Sequence, residues 1–290
     1  MKILFLVTHT KNNKIFVHEA KKKSIQLDLY HYYELKISFT DNKIKIRVNN
    51  HSIDDYDLIH FRHLKKNTEL ATIISSYCLE KKIPVLDPVF VNKLPWVDRK
   101  SFEYTKLAEN NLPIIDTLFL SKQPFEKIAE KIQYPCIVKT TDQSQGRGVY
   151  LIKDQNSIEK LFDKYHSHLL IQKFIKNDGD YRFFVIGNKV IAAMKRVATS
   201  QNEFRNNISL GGKAEIYNPK AVEEKLAIKA ARALGYAFAG VDLIKENGQM
   251  KILEVNRAPQ FTGLMQSTKA NIPGKMIDYC VDYAKKFKKK

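Results

Sequence analysis

The run Lys251-Ile-Leu-Glu-Val-Asn256, with Ala239-Gly-Val-Asp242 about a dozen residues before it, decides the reading of this chain. Both segments are apolar runs of strand length that carry side-chain oxygens at their polar positions. Glu254 and Asn256, two apart on a strand, point to the same face, and Asp242 belongs to the neighbouring apolar run. The three side chains offer only oxygen and nitrogen of an amide, with no sulfur or imidazole. Magnesium takes a few carboxylate and amide oxygens and completes its octahedron with water and phosphate, so this set suits it better than zinc. Asp242, Glu254 and Asn256 are the candidate metal ligands. In isolation the same residues are ordinary acids at strand ends, so the rest of the chain has to decide.

Working back from that run, Thr140-Thr-Asp-Gln-Ser-Gln-Gly-Arg-Gly-Val149 sets two glycines in a polar loop between two apolar strands. Backbone N–H groups in such a loop can close over phosphate oxygens, because glycine permits close approach and positive φ. The loop lacks the Gly-Lys-Ser/Thr of a P-loop, and a strand rather than a helix follows it, which excludes a Rossmann fingerprint. It reads equally as a hairpin turn. Lys139, at the end of the preceding strand, is placed to neutralise phosphate. Asp180, Arg182, Lys195, Arg196, Arg205 and Asn207 lie on or beside strands expected to face the same cleft. Single arginines on strands are usually solvated, but several opposite a metal site suit phosphoryl transfer, which gathers negative charge.

The first 90 or so residues alternate short strands (Ile3 to Val7, Leu27 to Tyr30, Leu58 to Phe61, Val85 to Leu86) with helices around Lys14 to Lys22 and Glu69 to Lys81. That alternation predicts an open, mainly parallel α/β layer, with an inserted hairpin from Leu35 to Phe39 and Lys43 to Val48. Pro84, Pro88 and Pro95 then punctuate the chain, and a linker near residues 88 to 98 is the expected boundary. Beyond it come a helix (Lys100 to Asn110), strands at Thr117 to Leu120, up to Lys139, and at Val149 to Ile152, a helix from Ser157 to Lys164, and a strand from Leu169 to Lys173. The last third supplies strands at Tyr181 to Ile186, Val190 to Arg196, Ala239 to Ile244 and Lys251 to Val255, with an alanine-rich helix from Lys220 to Leu234 stopped by Gly235. The fold class is α/β with α+β lobes, divided as 1–92, 93–176 and 177–290.

Bulk properties exclude several classes. A chain of 290 residues with 44% hydrophobic and 11% aromatic content buries a core and is not disordered. It has no apolar stretch of membrane-spanning length, and its start has no cleavage-site pattern, so a cytoplasmic location is expected. Cys78, Cys136 and Cys280 are odd in number and widely spaced, which argues for core fillers rather than disulfides or a metal cluster. The net charge of +18, from 49 basic and 31 acidic residues, would help an acidic protein, nucleic acid or phosphorylated ligand approach. It is equally a solvated lysine-rich surface; the tail Lys285-Lys-Phe-Lys-Lys-Lys290 is its densest cluster and a candidate interaction arm.

Gln145-Gly-Arg-Gly148, Asp180-Tyr-Arg-Phe-Phe-Val-Ile-Gly187, Phe204-Arg-Asn-Asn-Ile-Ser-Leu-Gly-Gly212, Ala239-Gly-Val-Asp242 and Glu254-Val-Asn256, taken in order, resemble the ATP-grasp superfamily and, within it, the RimK-like carboxylate–amine ligases. The resemblance runs from about Lys100 to Met276; the residues before about 90 resemble the α/β domain that precedes the ATP-grasp module. It implies an ATP-grasp fold using ATP and Mg2+ (or Mn2+). Lys100 and Lys139 then correspond to the nucleotide-phosphate lysines, the Gln145, Gly146 and Gly148 loop to a phosphate cover, and Gln172, Lys173, Phe174 and Ile175 to the hinge whose backbone pairs with adenine. Asp180 corresponds to a ribose contact, Arg205 and Asn207 to a phosphate and magnesium-side pair, and Arg182, Arg196 and Arg205 to the cations around the reaction. The implied chemistry is phosphorylation of a carboxylate by ATP and attack of an amine on the acyl phosphate, giving an amide or peptide bond, ADP and phosphate. The substrates would be a carboxylate and an amine, one of them a protein or peptide tail. Two other readings are a small-molecule ligase of the same fold and a non-catalytic nucleotide-dependent binder of ribosome, RNA or an acidic partner.

Two positions depart from the family pattern. Lys173 stands where Glu is common, and Arg257-Ala-Pro-Gln-Phe261 replaces the usual small residues after Asn256. Arg257 is therefore a candidate clamp for a substrate carboxylate. His9, His60 and His63 fall outside the matched motifs and are expected at the surface or between domains.

Overall fold

A computed structural model describes residues 1–9, 11–40, 43–64, 66–92, 99–141, 148–199 and 212–289. In chain order the first elements are β1 (Lys2–Val7), α1 (Lys14–Lys22), β2 (Gln26–His31), β3 (Leu35–Thr40), β4 (Lys43–Val48), β5 (His51–Ser52), β6 (Leu58–Phe61), α2 (Thr68–Glu80) and β7 (Val85–Leu86). Strands β2, β1, β6 and β7, in that order, form a four-stranded parallel sheet. Ile3 through Val7 are all fully buried, as a central parallel strand covered on both faces requires. The inserted hairpin is the antiparallel sheet β3-β4-β5, whose alternation puts Ile46 and Val48 inside and Lys43, Lys45 and Arg47 outside.

The middle of the chain follows as α3 (Lys100–Glu109), β8 (Thr117–Leu120), α4 (Lys122–Ile128), β9 (Cys136–Thr140), β10 (Val149–Ile152), α5 (Gln155–Tyr165) and β11 (Leu169–Lys173). Its strands make an antiparallel sheet in the order β10-β9-β11-β8. The last part is β12 (Asp180–Ile186), β13 (Lys189–Val197), β14 (Lys213–Ile216), α6 (Ala221–Ala233), β15 (Phe238–Glu246), β16 (Gln249–Asn256), α7 (Thr262–Thr268) and α8 (Ile272–Phe287). Here the sheet order is β14-β13-β12-β15-β16, so β16 is an edge strand. β14, α7 and α8 were not among the elements expected from sequence.

Two hydrophobic cores run between the first sheet and the last. One joins Leu4, Leu6 and Phe61 to Phe183, Val241 and Val255; the other joins Phe5 and Phe16 to Phe184, Phe238, Phe261 and the inner face of α8. The middle sheet has its own core under α4 and α5, built on Phe125, Val138, Ile158, Phe162 and Ile171. Cys78, Cys136 and Cys280 are buried fillers in these clusters. Among the described residues, no helix is long and apolar enough to cross a membrane.

Candidate active site

The decisive run forms β16, paired antiparallel with β15 so that Gly240 faces Asn256 and Asp242 faces Glu254. The register then shifts, with Leu243 opposite Ile252, which makes Leu253 the extra residue of a bulge. The Asn256 amide nitrogen donates to Glu254 Oε1 at 2.7 Å, so the two side chains share one face as their spacing predicted. Lys100, the first residue of α3, brings its Nζ to 3.9 Å from Glu254 Oε2. Burial alone would raise the Glu254 carboxyl, but Lys100 and Lys139, helped by the Asn256 amide, hold it down at about 2.

Lys139 lies on β9, enclosed at 6% exposure. Burial, then the charge of Lys100, bring its ammonium down to about 8, against the pull of Glu254, Glu103 and Asp242. Gly148 has φ +71°, a left-handed conformation that glycine adopts without strain, and its carbonyl accepts from Thr140 N at 2.9 Å. Gln145, Gly146, Arg205 and Asn207 lie outside the described residues. In the hinge, the Gln172 side chain is enclosed and donates to Tyr104 Oη at 2.6 Å and Thr117 Oγ1 at 2.8 Å. Lys173, at the position that departs from the family, pairs with Glu246 at 2.8 Å, and Glu246 also pairs with Lys251 at 2.6 Å. Phe174 is half-buried, and Ile175 packs with Ile115 and Ile244.

The arginines occupy a second layer. Arg182 faces Asp242 across β12 and β15 and grips it side-on, Nε to Oδ1 and Nη2 to Oδ2, both at 2.6 Å. Arg196 donates Nη2 to Asp242 Oδ2 at 2.8 Å and Nε to Asp180 Oδ1 at 2.5 Å. Burial would lower the guanidinium of Arg196, but Asp242 and Asp180 raise it above its ordinary value; Asp180 itself is raised, chiefly by burial. These contacts correct two expectations. Asp180 is enclosed against Arg196, so its carboxylate neutralises that buried cation and does not face an open ribose site. Arg196, with only 3% of its side chain exposed, braces Asp242 from behind; Arg182 keeps more of its side chain open.

Arg257 requires the plainest correction. Its side chain is 1% exposed, donates to Phe61 O at 2.6 Å, pairs with Asp87 at 3.3 Å and stands over the Phe90 ring. An enclosed guanidinium already bound to a carboxylate is not a clamp for an incoming one. Arg257 joins the loop after β16 to the first sheet. Arg62 does the reverse, donating to Pro259 O at 2.8 Å between the rings of Phe16 and Phe261. His60 is buried between Phe5 and Phe238, and burial together with Arg62 and Arg257 pushes its imidazole well below the ordinary value. The rings of His9 and His63 lie 4.6 Å apart, tilted by 33°.

Sequence reading missed Glu103 and Tyr104. Glu103 accepts from Val255 N at 2.5 Å, and burial followed by the Glu254 charge pushes its carboxyl up to about 8. Tyr104 donates to Leu253 O at 2.8 Å. The signal was available: Glu103 stands three residues after Lys100, on the same face of one helix.

The donor set of Asp242, Glu254 and Asn256 fits magnesium chemically, since each can offer oxygen. Two carboxylates supply the charge; Asp242, its side chain only 2% exposed, accepts three hydrogen bonds from Arg182 and Arg196, which leaves one of its about four lone-pair directions for a metal. Among the described residues no cluster of three His, Cys, Asp or Glu side chains competes as a metal centre.

A parallel α/β layer followed by two antiparallel sheets, with Lys139 from the first of these and Lys100 from α3 turned toward the acids of the second, defines an ATP-grasp fold. The chain belongs to the RimK-like ATP-grasp family, whose domain it matches over residues 101–280. It is 38% identical over 150 residues to a probable alpha-L-glutamate ligase 1 of Shewanella baltica, covering 50% of each chain. It is 39% identical over 156 residues to a probable alpha-L-glutamate ligase of Legionella pneumophila, covering 52% of this chain and 51% of the other. The chain thus spans about half the length of the curated relatives it matches. In fold it is similar to the ATP-grasp ligase PsnB complexed with minimal precursor, Mg and ADP, at TM-score 0.73 and 17% identity over 98% of both chains. It is also similar to D-alanine–D-alanine ligase of Bacillus anthracis complexed with ATP, at TM-score 0.70 and 18% identity, covering 100% of this chain and 99% of that one.

Proposed function

We propose that the protein is an ATP- and magnesium-dependent carboxylate–amine ligase that forms an amide or peptide bond through an acyl phosphate. The observation that carries the reading is the convergence on Glu254: Lys100 from α3 stands 3.9 Å from its carboxylate and Lys139 from β9 adds a second positive charge, two separate elements that together draw the carboxyl down. Two lysines around one carboxylate leave positive charge for a polyphosphate. In this reading they hold the phosphates of ATP, the backbone of residues 172–175 takes the adenine, and Gly148, with Gln145 and Gly146, covers the phosphates. Asp242, Glu254 and Asn256 would hold the metal, which when bound neutralises phosphate charge and polarises the transferring group. Arg182 stabilises negative charge beside Asp242, with Arg205 and Asn207 assigned to the same side by resemblance. Asp180 and Arg196 act behind them as the support of Asp242. No enzyme nucleophile is required; the amine and the activated carboxyl need positioning.

The relatives are named for glutamate, and PsnB is known in complex with a precursor peptide. L-glutamate paired with peptide acceptors and acidic peptide tails is therefore the first substrate set to test. An ADP-release screen across amino acids and amines, followed by mass measurement of the product, tests the reading. ADP release that requires both a carboxylate and an amine is the expected result. Salt-sensitive RNA binding with no turnover on any pair would replace the ligase by a nucleotide-dependent binder.

A further inference from the structure

β16 carries Glu254 and Asn256 at the edge of its sheet, where the outer N–H and C=O groups meet no further strand, only an isolated parallel bridge between Ile252 and Ile114. Buried backbone groups left unpaired are costly, so something must take them up. Three successive groups are satisfied from outside the sheet. Ile252 N donates to Pro113 O at 2.8 Å, Leu253 O accepts from Tyr104 Oη at 2.8 Å, and Val255 N donates to Glu103 Oε1 at 2.5 Å. The last two are the residues on either side of Glu254, and both partners come from α3, the helix that opens with Lys100. One short helix therefore holds the backbone flanking the central acid and supplies the cation facing its side chain.

The direction of every bond in this group is fixed. Gln172 Nε2 can only donate, and it does so to Tyr104 Oη at 2.6 Å and to Thr117 Oγ1 at 2.8 Å. Tyr104 must then give its single hydrogen to Leu253 O, and Thr117 gives its own to Ile115 O at 2.7 Å. The chain runs from β11, the expected hinge strand, through a phenol to the bulged residue of the acid-bearing strand. Tyr104, Gln172 and Glu103 are all buried, so water cannot substitute for a lost member without rearrangement.

We propose that Glu103 and Tyr104 are positioning residues for the metal ligands of β16, with Tyr104 held in its donating orientation by Gln172. This rests on the ATP-grasp ligase reading of the site. A purely structural role would lower stability and loosen all ligands together; a positioning role weakens the metal selectively. The test is Mn2+ titration by electron paramagnetic resonance with saturating ADP, alongside calorimetric ADP affinity in the absence of metal and thermal melting, for wild type, Tyr104→Phe, Glu103→Leu and Glu103→Gln. Tyr104→Phe keeps the ring and loses only the hydroxyl; it is expected to raise the Mn2+ Kd about 5–10-fold, the effect of one buried hydrogen bond, with metal-free ADP affinity changed less than twofold. Glu103→Leu should do the same, and Glu103→Gln, which retains an acceptor for Val255 N, should recover most of the loss. Mn2+ affinity within twofold of wild type in Tyr104→Phe, or ADP and Mn2+ affinities falling by the same factor, overturns the proposal. Should Tyr104→Phe not fold, equal Mn2+ affinities in Glu103→Leu and Glu103→Gln overturn it instead. A wild-type protein that binds neither ADP nor Mn2+–ADP overturns the functional reading beneath it, a result distinct from both.

Discussion

Lys139 is an ammonium kept where an ammonium is expensive. Enclosed beside Lys100, it is brought down to about 8 from an ordinary value near 10.5. A folded value below the unfolded one means that the unfolded chain binds the proton more readily across that window. The group's contribution to stability therefore rises as pH increases from about 8 toward 10.5, and the cost of charging it is carried below 8. In the proposed site ATP would reverse the preference, because phosphate beside Lys139 favours the charged form. We expect ATP binding at pH 9 to take up close to one proton, and binding at pH 6.5 to take up none from this group. Calorimetry in two buffers of different ionisation enthalpy reads the number directly. Lys139→Ala should abolish the uptake and weaken ATP far more than AMP; identical proton uptake in the variant would assign the titration elsewhere. Glu254 is lowered too, to about 2 from 4.5, but for a carboxyl the lowering favours the charged form, so its stabilisation is present above about 4.5 and is lost as pH falls toward 2. Glu254→Gln should leave the fold intact at neutral pH and abolish metal-dependent ADP release, and near-normal release at saturating substrates would remove the metal assignment.

At the scale of elements, the pair β15 and β16 depends on one small residue. A Cβ built on Gly240 would stand 2.6 Å from Pro259 Cβ, so a side chain there meets the loop that follows Asn256. Gly240→Ala should displace that loop at a cost of about 1–3 kcal/mol, seen in denaturant melts, and should reduce ADP release through the shifted Asn256. A fully stable, fully active variant would show that the loop yields freely. The same elements show what the chain made legible. Strands with one polar and one apolar face, such as β4, and the apolar β1 were readable because burial follows the two-residue period or abolishes it. The common face of Glu254 and Asn256 was readable for the same reason. The bulge at Leu253 was not, because the extra residue changes a partner without changing the pattern. The burial of Asp180, Arg196 and Arg257 escaped sequence reading since a charged residue looks alike whether it meets water or a buried opposite charge. α8 could have been found: Ile272, Met276, Ile277, Cys280 and Ala284 recur at helical spacing after the Asn271 cap, but the lysines at its end draw attention to charge.

For the whole molecule, the positions of the cores show which layers are packed together. The first and last sheets share two cores, whereas the middle sheet closes on its own. The seam between first and last sheets is cross-tied near the site: Arg257 reaches Phe61 O and Asp87, and Arg62 reaches Pro259 O. Asp87 also accepts from Ala237 N at 2.9 Å, so it anchors the start of the segment leading into β15. Removing Arg257 would take one cation from a fully buried carboxylate, and breaking such a pair typically costs about 3–5 kcal/mol. Arg257→Ala and Arg257→Lys should therefore both lower the melting temperature, with Lys losing less because it keeps the charge but not the planar donor geometry. Below the melting transition, KM for the carboxylate and amine substrates should stay near wild type, since the guanidinium is enclosed between layers. A raised KM for one substrate with unchanged stability would instead restore Arg257 to the acceptor side and require the seam to open during turnover.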